Sequence, residues 1–126
     1  MVSVSISRWF AIAGAVLLVA IAVATLIPAA WQVRTGLHWL LEHFLAYFAV
    51  TAIFCLALPR PMAVAAVLIS FALLLEALQG LTPDRVADFP TALFAAAGVA
   101  SAALLADLAI ALRKRARIGA AIGRKA

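Results

Sequence analysis

The sequence predicts an all-α membrane protein: a bundle of about four transmembrane helices with both termini cytoplasmic. Three observations lead there. Of the 126 residues, 68% are hydrophobic and only 12% charged, with a mean hydropathy of +1.19. Soluble domains carry about 45–50% apolar and about 25% charged residues, so this chain lacks the polar surface needed to cover a core in water. The apolar residues fall into four long runs parted by Pro, Gly and polar residues. Strict alternation of polar and apolar positions, which a membrane barrel needs, is absent, and lipid leaves helices as the other way to satisfy the backbone.

The first run, residues 10–27, is broken only by Gly14 and Thr25 and stops at Pro28. Its eighteen residues would rise about 27 Å, close to the hydrocarbon thickness of about 30 Å. A run of that length exceeds a signal peptide's apolar region of about 7–15 residues, so a retained span is expected. The second run, 39–58, is interrupted early by Glu42 and His43 and stopped by Pro59-Arg60-Pro61, because proline restricts its predecessor and breaks the hydrogen-bond ladder. The third, 62–79, carries Glu76 and Gln79 at its far end, and a polar turn follows from Gly80 to Asp88. The fourth, 89–112, is rich in Ala with Gly98, Ser101 and Asp107. Small residues let a neighbouring helix approach closely, so this helix is expected inside the bundle. A basic cytoplasmic tail, 113–126, ends a chain of one domain.

Charge sets the expected orientation. With both termini cytoplasmic, Arg8, Arg60, Arg113, Lys114, Arg115, Arg117, Arg124 and Lys125 lie inside, against Arg34 and Arg85 outside. The positive-inside rule prefers this arrangement, and Trp9, Trp31 and Trp39 then fall at the two interfaces. The net charge of +5 is therefore assigned to anionic headgroups beside the tail. Nucleic acid is not an expected partner, since no basic stripe lies on a soluble surface. Membrane lipids are. Cys55 stands alone in an apolar run and reads as packing.

The chemistry lies at one end. Glu42, Glu76, Asp84 and Asp88 all fall on the outer side. His43 and Tyr47, four apart, share a helix face, as do Glu76 and Gln79, three apart. The short turn at 59–61 makes the second and third helices expected neighbours. So His43, Tyr47, Glu76, Gln79 and the loop residue Arg85 are the candidate ligand-binding set near the outer leaflet. Ionisable groups inside a membrane cost about 2.5–3.5 kcal/mol at its centre, which is why they mark function more often than packing. The plainer reading is a Glu–His or Glu–Arg pair tying two helices together. Asp88 before Phe89-Pro90 reads as a helix N-cap, Thr82-Pro83 has a similar look, and Glu42 reads as a solvated interfacial carboxylate. A metal site from His43, Glu76 and Asp88 lacks a close ligand pair, so no metal is expected. No cofactor is expected either. Ser70 and Ser101 lack the setting of a nucleophile. As a rival to ligand binding, His43 and Glu76 are the candidate catalytic residues, His43 a general base oriented by the Glu76 carboxylate. A pore is disfavoured, because the second and third spans are nearly free of polar residues below Thr51 and Ser70.

These residues are arranged as in a known family. Leu41-Glu42-His43-Phe44-Leu45-Ala46-Tyr47-Phe48, then Leu75-Glu76-Ala77-Leu78-Gln79, then Pro83-Asp84-Arg85 resembles the VanZ-like membrane proteins. There a His-Phe-x-x-Tyr segment opens one helix, Glu-x-x-Gln closes the next, and an Arg follows about six residues later. The resemblance covers residues 38–102. The family's later Asp and Asn-x-x-Gly are kept only in Gly98, since Thr91 and Ala95 stand at the other two positions. The resemblance implies a small multi-pass protein of the bacterial cytoplasmic (inner) membrane and cell envelope, in a family whose namesake is associated with low-level resistance to the glycopeptide teicoplanin. With the candidate set, it points to an anionic lipid or lipid-linked envelope precursor as ligand, held by Arg85 through its guanidinium fork.

With Cys55 replaced by Ala and Thr82 by Cys, a membrane-impermeant maleimide is expected to label intact cells. Labelling only after lysis would invert the orientation and place the cluster in the cytoplasm.

Overall fold

The computed structural model describes residues 3–126. Among them the regular elements are helical: α1 (Val4–Leu26), one 3-10 turn (Ala29–Trp31), α2 (Trp39–Ala57), α3 (Pro61–Gln79) and α4 (Phe89–Gly123). All four α-helices are long and apolar enough to cross a membrane, as the four apolar runs predict. The protein is a multi-pass membrane protein.

Two boundaries differ from expectation. Helix α1 starts at Val4, six residues before the apolar run, because the Ser3 hydroxyl accepts from the Ile6 N–H and caps the first turn. Helix α4 continues through the basic segment to Gly123, 35 residues in all. Ala, Arg and Lys are good helix formers, so nothing in 113–123 ends the helix where the apolar run ends. The basic tail is a helical projection. Helices α2 and α3 stop and start where the prolines require, with Pro61 in the first turn of α3.

The packing order also departs from chain order. Helix α2 lies mainly against α4, which also packs on α3; α1 leans on α2; the consecutive pair α2 and α3 touch only lightly. The expected neighbours α2 and α3 do touch, but α4 takes most of the α2 face, and the reason is size. The buried face of α4 is Thr91, Ala92, Ala95, Gly98, Val99, Ala102 and Ala103, so the α2 backbone can come closest there. At Gly98 a methyl group would stand 2.3 Å from the Phe44 carbonyl oxygen and 3.1 Å from the Phe48 nitrogen. No side chain fits. On the other side of α2, Gly14 of α1 receives the Phe54 ring.

The core is formed by Tyr47, Val50, Leu68, Ala72, Leu75, Ala95 and Val99, with Ile21 from α1 at its edge. Val50, Thr51 and Val99 are fully buried. The Thr51 hydroxyl donates to the Tyr47 carbonyl one turn back, which removes its polarity from the core.

Gly98→Ala is expected to push α2 and α4 apart and cost about 1–3 kcal/mol, the usual range for overpacking. Gly119→Ala, where nothing lies within 4 Å of the added carbon, should leave stability unchanged or raise it by up to about 1 kcal/mol. Thermal unfolding of both variants in detergent checks the pair. Equal effects would remove Gly98 as the closest helix contact.

Candidate functional site

The end of the bundle holding the 3-10 turn and the α3–α4 loop encloses a cavity of about 710 Å³. His43, Tyr47, Glu76, Gln79 and Arg85 all line it. The candidate set is thus brought together by three segments: α2, α3 and the loop between α3 and α4. The contacts within the set also differ from expectation, because the bonds run to backbone.

Helix α1 ends against this cavity, and its last carbonyls have no partner within the helix. Gln79 Nε2 donates to the Thr25 carbonyl at 2.8 Å, and Arg85 Nη2 donates to the Ile27 carbonyl at 2.8 Å. Gln32 Nε2 reaches the Ala24 carbonyl at 3.1 Å. These three side chains cap α1 from outside, and the Arg85 charge lies at the negative end of its dipole. The Asp84 carboxylate accepts from the Ala29 N–H at 3.0 Å, which ties the α3–α4 loop to the 3-10 turn.

Glu76 does the converse job. Its Oε1 accepts from the Asp88 N–H at 2.5 Å, so a carboxylate carried by α3 stands at the start of α4, where helix N–H groups are unpaired and the dipole favours negative charge. Asp88 occupies the N-cap position of α4, but its side chain makes no bond to a backbone N–H there. It accepts instead from the Thr91 hydroxyl at 2.8 Å, and Thr91 accepts from the Trp39 indole N–H at 3.2 Å. Thr82 also serves otherwise than as a helix start: its hydroxyl donates to the Gln79 carbonyl, at the end of α3.

His43 is the one member held within its own helix. Its Nδ1 lies 2.8 Å from the Trp39 carbonyl. A carbonyl only accepts, so Nδ1 carries the proton, and whenever the ring is neutral Nε2 is its acceptor. The partner that orients the imidazole is the Trp39 carbonyl, where the sequence points to Glu76. Tyr47, only 3% exposed, walls the cavity one turn deeper. Glu42 stays open to solvent and also accepts from both the N–H and the hydroxyl of Thr35, pinning the loop before α2.

Arg85 is the exception in this network. Its Nε is buried with no hydrogen-bond partner. A buried N–H of a guanidinium left unpaired is costly, and the ordinary remedy is an acceptor. Among the described residues no three of His, Cys, Asp and Glu come together as a metal-holding group.

The sequence does not reveal four of the cavity's polar residues as such: Gln32, Arg34, His38 and Trp39. Trp39 reads as an interfacial anchor, and its bond to Thr91 depends on the register of α2 against α4. No local signal carries that register. Thr91 sits between Trp39 and a nearby carboxylate, Asp88.

Glu76→Ala is expected to strand the Asp88 N–H and cost about 1–3 kcal/mol of stability. Glu76→Gln keeps an acceptor oxygen and should cost clearly less. Thermal unfolding of the two variants distinguishes this cap from a carboxylate that contributes nothing to the fold.

Compared with known protein families, curated proteins and solved structures, the chain matches none.

Proposed function

We propose that this chain is a VanZ-like, non-enzymatic protein of the bacterial cytoplasmic membrane. Its cavity opens to the outer leaflet and binds the anionic group of a lipid or lipid-linked cell-envelope precursor. The observation that carries this reading is Arg85, a cation in the cavity wall whose buried Nε has no acceptor within the protein. The Ile27 carbonyl fixes one arm of the guanidinium, leaving a pre-oriented donor edge. A phosphate or carboxylate would fill it with charge-assisted bonds. His43 Nε2 and the wall formed by Tyr47 complete a pocket with both polar and apolar sides. The residue pattern shared with VanZ-like proteins supports the same assignment, and any link to a glycopeptide response rests on that pattern alone.

A second reading makes His43 a general base. It draws on one observation: the Trp39 carbonyl holds Nδ1–H, so Nε2 is the basic atom available to a substrate. Glu76 would then act on the fold rather than on His43, since Asp88 N–H takes its Oε1. A bell-shaped pH dependence abolished by His43→Ala would favour this enzyme; an intact phenotype in that variant would sink it.

The binding reading is tested by lipid co-purification. Protein purified in mild detergent is expected to carry an anionic lipid at this cavity whose affinity falls about 10–100-fold in Arg85→Ala, the loss of a hydrogen bond to a charged group, read as loss of one bound lipid per chain. A melting curve for the same variant separates loss of the site from loss of the fold. Identical lipids at identical occupancy in parent and variant would defeat the proposal.

A further inference from the structure

The opposite end of the bundle holds a second cleft, of about 390 Å³, lined by Pro59 and by Ile110, Arg113, Lys114, Arg117 and Ile118 of α4. The five α4 residues follow the spacing of a single helix face, three and four apart. The bond between Trp39 and Thr91 sets α2 and α4 in parallel with an offset of 52 residues. Carried down the two helices, that offset puts the end of α2 level with Ala109. The cleft therefore opens where the α2–α3 turn ends and α4 runs on alone.

We infer that this cleft is a site for one anionic phospholipid of the leaflet on that side, with its phosphate on Arg113, Lys114 and Arg117 and its glycerol and upper chain against Pro59 and Ile110. Charge and shape agree on this occupant. Three cations converge on one face, and the rest of the lining is apolar. A soluble acidic peptide or a nucleic acid would use the cations but leave the Pro59–Ile110 wall without a partner. A phospholipid presents a phosphate and hydrocarbon a few ångströms apart, in the order the cleft requires. Four helices able to cross a membrane bring the end of α2, and with it the cleft, to headgroup depth.

The helical form of the basic segment makes this more specific than general attraction. Arg115 points about 130° away from the middle of the cleft face, at 100° per residue. Arg124 lies seven residues beyond Arg117, about 10 Å further along the axis. A flexible tail could bring all six bases to the membrane surface; a helix through Gly123 brings three into the cleft. Position should therefore matter more than total charge.

Two charge-matched variants of the full chain test it: Arg113→Gln with Arg117→Gln, and Arg115→Gln with Arg124→Gln. All four residues are exposed, so both variants should fold, which a melting curve checks. Retention of phosphatidylglycerol against phosphatidylcholine of the same chains is measured by native mass spectrometry. The first pair should lower phosphatidylglycerol retention about 30-fold, from two bases at the surface, and the second no more than about fivefold, because Arg124 stands further along the axis and only Arg115 is left near the headgroups. Equal losses in both pairs, or no loss in the first, would overturn the site. So would displacement of the lipid by an equal concentration of soluble glycerol 3-phosphate, which lacks the chains. Both pairs are measured with Arg85→Ala added, which removes lipid held at the outer cavity, so this site and that cavity stand or fall separately.

Discussion

The contact on which the molecule depends is the approach of α4 to α2 at Gly98, where the Phe44 carbonyl fills the space a side chain would take. Lipid gives apolar helices little reason to associate, since hydrocarbon is as good a neighbour as leucine; close backbone packing supplies the reason. The Ala-rich face on both sides of Gly98 extends that fit from Thr91 to Ala103. Once α2 and α4 are in register, Trp39 meets Thr91 and Thr91 meets Asp88. The start of α4 is then fixed where Glu76 of α3 can reach it. The register of one helix pair thus sets the position of polar groups more than two turns away.

The polar end of the bundle solves a problem that membrane helices share. Helix ends near hydrocarbon expose N–H and C=O groups that water satisfies poorly there, and each unmet group is costly. Here the remedy is side chains from other elements: Gln79, Arg85 and Gln32 on the end of α1, Glu76 on the start of α4. Most of the candidate site is therefore also helix-capping apparatus. That dual use weakens any argument from mere presence of charge. It sharpens the argument from Arg85 Nε and His43 Nε2, the two ring or guanidinium positions that capping leaves over.

Much of this architecture is legible in the sequence, and the misses have physical causes. The prolines at 28, 59 and 61 and the polar stretch 80–88 mark the ends of the spans because they act locally on the backbone. Hydropathy, by contrast, marks where lipid begins, and a helix can run past that point, as α1 does to Val4 and α4 to Gly123. The five residues of the candidate site could be grouped by depth, since rise per residue is fixed. Their partners could not, because most are backbone carbonyls and amides, which every residue possesses. The short connection does make α2 and α3 neighbours, but it limits only the distance between helix ends, while residue size puts α4 nearest to α2 along its length.

The distribution of polarity also bears on what the cavity can do. Its lining reaches no deeper than Ile21 on α1, Tyr47 on α2, Glu76 on α3 and Thr91 on α4. Beneath it Val50, Leu68 and Val99 close the bundle with almost no exposure, and Thr51 turns its hydroxyl onto its own helix. An ion crossing a single chain would need solvating groups through that layer, and the layer offers hydrocarbon. The cavity is therefore a recess entered from one side, with a guanidinium edge and an imidazole acceptor in its wall. For the lipid ligand proposed above, such a recess would hold the headgroup at the membrane surface, where the chains can stay in lipid while the charge leaves water for only a short distance.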